Sequence, residues 1–131
     1  MPVASKLPRR RVLIIEDEPS IRNVLYVLLA GLGCDGDVAL DTHHALSMIG
    51  KDAFDAVLLD LRSSDLPPEQ VVSAIAELRP SLVGRVLVIT GEVSDPQTLE
   101  MLERYGVPHV PRSRVTSDLW VRMRSLLGFA R

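Results

Sequence analysis

Residues able to handle a hard cation or a phosphate stand at the ends of four short apolar runs. "RVLII" at 11–15 leads into Glu16 and Asp17, "DAVLL" at 55–59 into Asp60, "RVLVI" at 85–89 into Thr90 and Gly91, and "GVPHV" at 106–110 is followed closely by Arg112. If the runs are neighbouring strands, three carboxylates, a hydroxyl and a guanidinium converge on one edge. Two carboxylates about 5 Å apart repel by roughly 3 kcal/mol at an effective dielectric of about 20, and a third adds to the repulsion. Such a cluster calls for a cation. Oxygen-only donors select a hard metal, and Mg²⁺ is commonly held by one or two carboxylates with waters and phosphate oxygens. A carboxylate such as Asp60 can itself accept a phosphoryl group as a nucleophile. Thr90, the Gly91 amide and Arg112 then suit the three equatorial oxygens of that group.

The elements that must position these residues follow from the same runs. Each is too short for a helix and too uniformly apolar for a half-exposed strand, which predicts parallel strands buried on both faces. A poorer strand is expected at 36–40. Between the runs lie helical patterns. Ile21, Leu25, Leu28 and Leu32 form a core stripe after Pro19, with Val24, Val27 and Leu29 as apolar excess beside it, either further core or a surface for docking a helical bundle. Asp41 is placed to cap a helix over 42–49, Pro67 and Pro68 to open one through Leu78, and Asp95-Pro96 to start one over 97–105. Leu119, Met123 and Leu126 give a last helix its core face. Strand and helix alternate five times, which predicts a doubly wound α/β domain with right-handed crossovers and its site at the carboxyl ends of the strands.

Composition narrows the function classes. A chain of 131 residues, 47% hydrophobic and 24% charged, has the size of one globular domain. A formal net charge of -2 speaks against a polyanion footprint, and Arg9, Arg10 and Arg11 read as a solvated tail. Cys34, alone, reads as a small packing residue in a reducing compartment. No apolar run approaches a membrane span or a signal peptide, so the expectation is a cytoplasmic protein with no membrane and no direct nucleic-acid partner. "GLGCDG" at 31–36 matches a dinucleotide-binding fingerprint by letter, but it follows a helix and precedes a strand, the reverse of the required context. His43 and His44 are adjacent on a helix and diverge, which reads as exposed polar residues.

With the acids, Thr90 and Arg112 in place, "VLIIEDEPSIR", "FDAVLLDLRSSDLP", "VLVITGE" and "GVPHVPR" resemble the successive signatures of response regulator receiver domains. The resemblance runs from about Arg10 to Leu127, and implies a tail over 1–9 and a receiver domain over 10–128. It further implies a (βα)5 flavodoxin-like three-layer sandwich whose five-stranded parallel sheet has the order 2-1-3-4-5. Asp60 would be the phosphoacceptor, served by the phosphohistidine of a sensor histidine kinase or phosphotransfer protein. Asp17 would bind Mg²⁺ directly, Glu16 mainly through water, and the Arg62 backbone carbonyl would complete the ligands. Thr90 and His109 would be the switch residues, and the Arg62 and Glu92 side chains would tune the lifetime of the phosphoryl group. Catalysis would be confined to the domain's own phosphorylation and dephosphorylation. The output would be a contact with a protein target, a second copy of the chain included, through the face of 97–105 and the last helix. Glu18, beside the metal-binding acids, reads as a solvated charge at a helix start.

Several positions depart from the family pattern. Arg112 replaces the usual lysine, and Ser113 the usual proline after it, so a trans Arg112–Ser113 bond is expected. His109 takes the place of the switch aromatic, Arg114 that of a common phenylalanine, and Ser63, Ser64, Pro67 and Pro68 alter the loop after Asp60. These changes motivate a rival reading, a degenerate receiver that binds partners independently of phosphate. A phosphatase with an aspartate nucleophile needs a second acid two positions on, where Arg62 stands; a nucleotide-binding module is the last alternative.

Overall fold

The computed structural model describes residues 9–63, 66–91 and 95–128. Five strands and five helices alternate: β1 (Arg10–Ile15), α1 (Pro19–Gly31), β2 (Cys34–Ala39), α2 (Thr42–Lys51), β3 (Ala56–Asp60), α3 (Pro68–Leu78), β4 (Val86–Thr90), α4 (Pro96–Arg104), β5 (His109–Pro111) and α5 (Val115–Leu127). All strand pairs are parallel and the order is β2-β1-β3-β4-β5, as the resemblance implied. Glu92 and Ser64, and all of the expected tail but Arg9, lie outside the described residues.

The uniform apolar runs are buried on both faces because each face has its own core. Val12, Ile14, Ala56, Leu58, Leu87 and Ile89 pack with Leu25 and Leu29 of α1 and Leu119, Met123 and Leu127 of α5. Their neighbours Leu13, Ile15, Val57, Leu59, Val86 and Val88 pack with α2, α3 and α4 through Ile49, Val71, Val72, Ile75, Met101 and Leu102. Side chains alternate across a strand, so one run serves both layers. A sheet clamped on both faces holds its strand ends in fixed register.

Local signals set the helix boundaries. Asp41 accepts from the His44 amide at 2.8 Å and Asp95 from the Thr98 amide at 3.2 Å, each the cap of its helix. Proline occupies the first turn of α1, α3 and α4. After α1 the chain turns at Gly33, whose φ of 74° suits glycine, and enters β2. "GLGCDG" is therefore a helix-to-strand turn, as its order predicted. His43 and His44 are exposed, and Cys34 is a buried free thiol.

Three expectations need correction. The arginine cluster is not a solvated tail: Arg9 and Arg11 pair with Asp35 and Asp37, each at 2.7 Å, while Arg10 donates to the Leu127 carbonyl at 2.7 Å. They tie β1 to β2 and to the end of α5, because each faces an acid or an open helix terminus. The predicted stripe of α1 is rotated: Ile21, Leu28 and Leu32 are only partly buried, while Leu29, 1% exposed, takes the core reading of the apolar excess and Val27, 71% exposed, does not. On α5 the innermost C-terminal residue is Leu127, four positions after Met123, and Leu126 is only partly buried. Among the described residues no helix is long and apolar enough to cross a membrane.

Leu58→Ala should cost about 2–5 kcal/mol in chemical denaturation, and Val27→Ala stay within about 0.5 kcal/mol. Equal losses at the two positions would contradict this core. Burial pushes the Cys34 thiol up. Its thiolate is scarce at mildly alkaline pH, so an alkylating reagent should modify the native protein far more slowly than the urea-unfolded chain.

Candidate functional site

The chain leaves β1 toward β2 on one side and resumes at β3 on the other, so β1 and β3 frame the topological switch point. Ile15 is the register partner of Leu59, which brings Glu16 and Asp60 to the ends of adjacent strands. Asp60 pairs with Ile89 and Thr90 with Pro111, so Thr90 and Arg112 each extend a position beyond the residue facing their neighbour. The stagger steps Asp60, Thr90 and Arg112 across one edge. That placement agrees with the sequence reading.

Two carboxylates are almost wholly removed from solvent: Glu16 and Asp60 are each 1% exposed. Such charges persist only with partners. Glu16 Oε2 accepts from the Glu18 amide at 3.2 Å. Asp60 Oδ1 accepts from the Arg62 amide at 3.0 Å, and Oδ2 from Nη2 of Arg112 in a charged hydrogen bond. Arg62 itself lies in a 3₁₀ turn over Leu61–Ser63, its side chain exposed. Thr90 is buried beside Asp60's strand, and Gly91 is half-buried. Asp17 is exposed at the turn into α1.

Arg112 starts another 3₁₀ turn, Arg112–Arg114, that ends β5. Among the described residues no peptide bond is cis, in line with the expected trans Arg112–Ser113 bond. The guanidinium is a fork rather than a point, and its nitrogens face different ways. Nη2 meets Asp60, whereas Nη1 lies 3.8 Å from Glu18 Oε1. Among the described residues, buried Nε and Nη1 have no hydrogen-bond acceptor. Glu18 is therefore not a purely solvated charge but the second anion beside this cation. It occupies the cap position of α1 without capping it, and its Oε2 accepts from the Ser20 hydroxyl at 3.0 Å. No signal in the sequence singles it out, because the pairing depends on the turn after β5 reaching across to the turn after β1.

The arrangement supplies a cation to Asp60 from within the chain. Glu16, Asp17 and Asp60 do not close into one cluster: among the described residues no three His, Cys, Asp or Glu side chains are grouped to hold a metal ion. His109 is half-buried at the start of β5, opposite Val88.

A doubly wound parallel sheet with a buried aspartate at its switch point defines the class of domain. Residues 12–111 match the response regulator receiver domain, and the chain belongs to that family. It is 35% identical over 121 residues to the transcriptional regulatory protein CutR of Streptomyces coelicolor, spanning 88% of this chain and 52% of CutR. It is 28% identical over 119 residues to the DNA-binding response regulator MtrA of Mycolicibacterium smegmatis, spanning 91% of this chain and 51% of MtrA. The chain thus spans about half the length of the curated relatives it matches. Its fold is similar to that of a CheY-like receiver domain protein from Methanospirillum hungatei, with a TM-score of 0.81 at 19% identity over 92% of this chain and 95% of that one. The receiver domain of NtrX from Brucella abortus gives 0.76 at 24% identity over 91% and 99%.

Burial separates the neighbouring acids Glu16 and Asp17. Glu16→Ala strands the Glu18 amide and should cost about 1–3 kcal/mol, whereas Asp17→Asn should change stability by less than about 0.5 kcal/mol. Urea unfolding of the two variants checks this, and a larger loss for Asp17→Asn would contradict the assignment.

Proposed function

We propose that the domain is a phosphorylatable receiver: Asp60 takes a phosphoryl group from the phosphohistidine of a sensor kinase or phosphotransfer protein and thereby changes a protein-contact surface. The observation that carries this reading is the buried Asp60 carboxylate at the switch point, with Arg112 against it and Thr90 on the next strand. An Asp60 oxygen attacks phosphorus in line while the nitrogen–phosphorus bond of the donor breaks, its electron pair returning to the imidazole. Catalysis of this kind is mostly positioning and charge compensation. Arg112 is already in place to follow the charge from carboxylate to phosphoryl oxygens, and its Nε and Nη1 have donors to spare. The Thr90 hydroxyl and the Gly91 amide supply further donors at the same edge. Thr90 moving toward the new group would couple it to α4, while His109 would register the change at the start of β5.

Glu16, Asp17, Asp60 and the Arg62 carbonyl would hold Mg²⁺ only after exposed Asp17 turns inward, because the three acids are not grouped as they stand; the assignment rests on their hard-oxygen donors and on two of the carboxylates being buried at adjacent strand ends. Bound there, the ion would offset the negative charge gathering on the phosphoryl oxygens. Arg62, whose side chain is exposed, and Glu92, by its place in the sequence, would set the lifetime of the modified state. The downstream partner would be a protein surface, reached through the face of α4 and α5.

A second reading has its own observation. Because Arg112 already neutralises Asp60, the domain could act as a phosphorylation-independent interaction module. Intact-mass measurement after incubation with acetyl phosphate and Mg²⁺, or with a cognate kinase, separates the two. The first reading predicts the mass gain of one phosphoryl group, lost in Asp60→Asn. No gain under either condition would contradict the first and leave the second.

A further inference from the structure

We propose that Glu18 is the alternate seat of Arg112, a positioning residue that receives the guanidinium when another cation engages Asp60. This rests on the reading of Asp60 as a site that a cation enters. In the structure Nη2 is hydrogen-bonded to Asp60, and Nη1 stands 3.8 Å from Glu18 Oε1. That second distance lies beyond a hydrogen bond but within an ion pair. The Arg112 side chain is 16% exposed, too little for water to hold its charge if Asp60 were withdrawn. A guanidinium this far from water is left uncompensated when it leaves one anion unless another acceptor lies within reach, and an anion compensates it best.

Among the described residues Glu18 is the other acid paired with Arg112, and at 44% exposure its side chain has room to adjust. Its uncommitted oxygen faces the fork: Oε2 is engaged by Ser20, whereas Oε1 points toward Nη1. Moving the fork toward Glu18 gives Nη1 an acceptor and opens Oδ2 of Asp60. Glu18 begins α1, so the exchange also links the occupancy of Asp60 to the first turn of that helix.

Asp60→Asn removes the competing charge while keeping the side-chain shape, and makes the exchange measurable without phosphate or metal. Glu18→Gln should barely move the urea midpoint of the parent protein, but should lower that of Asp60→Asn by a few tenths of a molar. The added loss should vanish once Arg112→Met is also present. Nitrogen-15 spectra give an independent readout. The Arg112 Nε–H resonance, identified by its absence in Arg112→Lys, should shift on Glu18→Gln far more in Asp60→Asn than in the parent. Equal effects of Glu18→Gln in the two backgrounds, or a loss that persists without Arg112, would overturn the exchange. Absence of labelling by acetyl phosphate would instead overturn the phosphoacceptor reading and leave these results standing.

Discussion

Asp60 sits at the end of a strand buried on both faces, with 1% of its surface exposed, and its charge has to be matched there. Arg112 matches it across the switch-point edge. Removing one partner of a buried ion pair typically costs about 3–5 kcal/mol, because the survivor is left as an uncompensated charge. The pair therefore constrains everything around it: the turn after β5 must stay close enough to reach β3, and a cation that takes Oδ2 of Asp60 must displace a guanidinium. A lysine would meet Asp60 as a compact point charge. The planar fork of arginine also reaches a second acid, which changes what displacement requires.

The scaffold holds this pair by register. Two cores clamp the sheet, α1 and α5 on one face and α2, α3 and α4 on the other, so the strand ends carrying Glu16, Asp60, Thr90 and Arg112 cannot slide independently. A slip of one residue would exchange the two layers of every strand. Arg10 and Arg11 reinforce the arrangement from the opposite end of β1. Arg11 pairs with Asp37, its amide donates to Asp55, and Arg10 closes onto the last carbonyl of α5. Charges that look like a tail in the sequence thus serve to pin the first strand.

Much of this is legible in the amino-acid sequence. Uniform apolar runs marked β1, β3 and β4, and proline and aspartate marked the helix starts, because those signals are local. The placement of Asp60, Thr90 and Arg112 at one edge followed from strands that end in them. What stayed hidden was tertiary. The rotation of α1 that buries Leu29 depends on how the helix lies against β2 and α5, and the partners of Arg9, Arg10 and Arg11 lie on other elements. Glu18 was misread for the same reason, since its partner is far away in the chain. The contact of Arg112 with Asp60 is of the same kind, since the sequence points Arg112 at a phosphoryl group and only the turn after β5 shows it reaching the carboxylate.

The central claim is that Asp60 and Arg112 form a desolvated pair, and a double-mutant cycle measures it. Unfolding free energies of the parent, Asp60→Asn, Arg112→Met and the double variant, in metal-free buffer at low salt and at about 1 M salt, give the coupling directly. A buried pair predicts a coupling of about 2 kcal/mol or more that salt changes little. A coupling below about 0.5 kcal/mol, or one abolished by salt, is the behaviour of an exposed pair and would contradict the account.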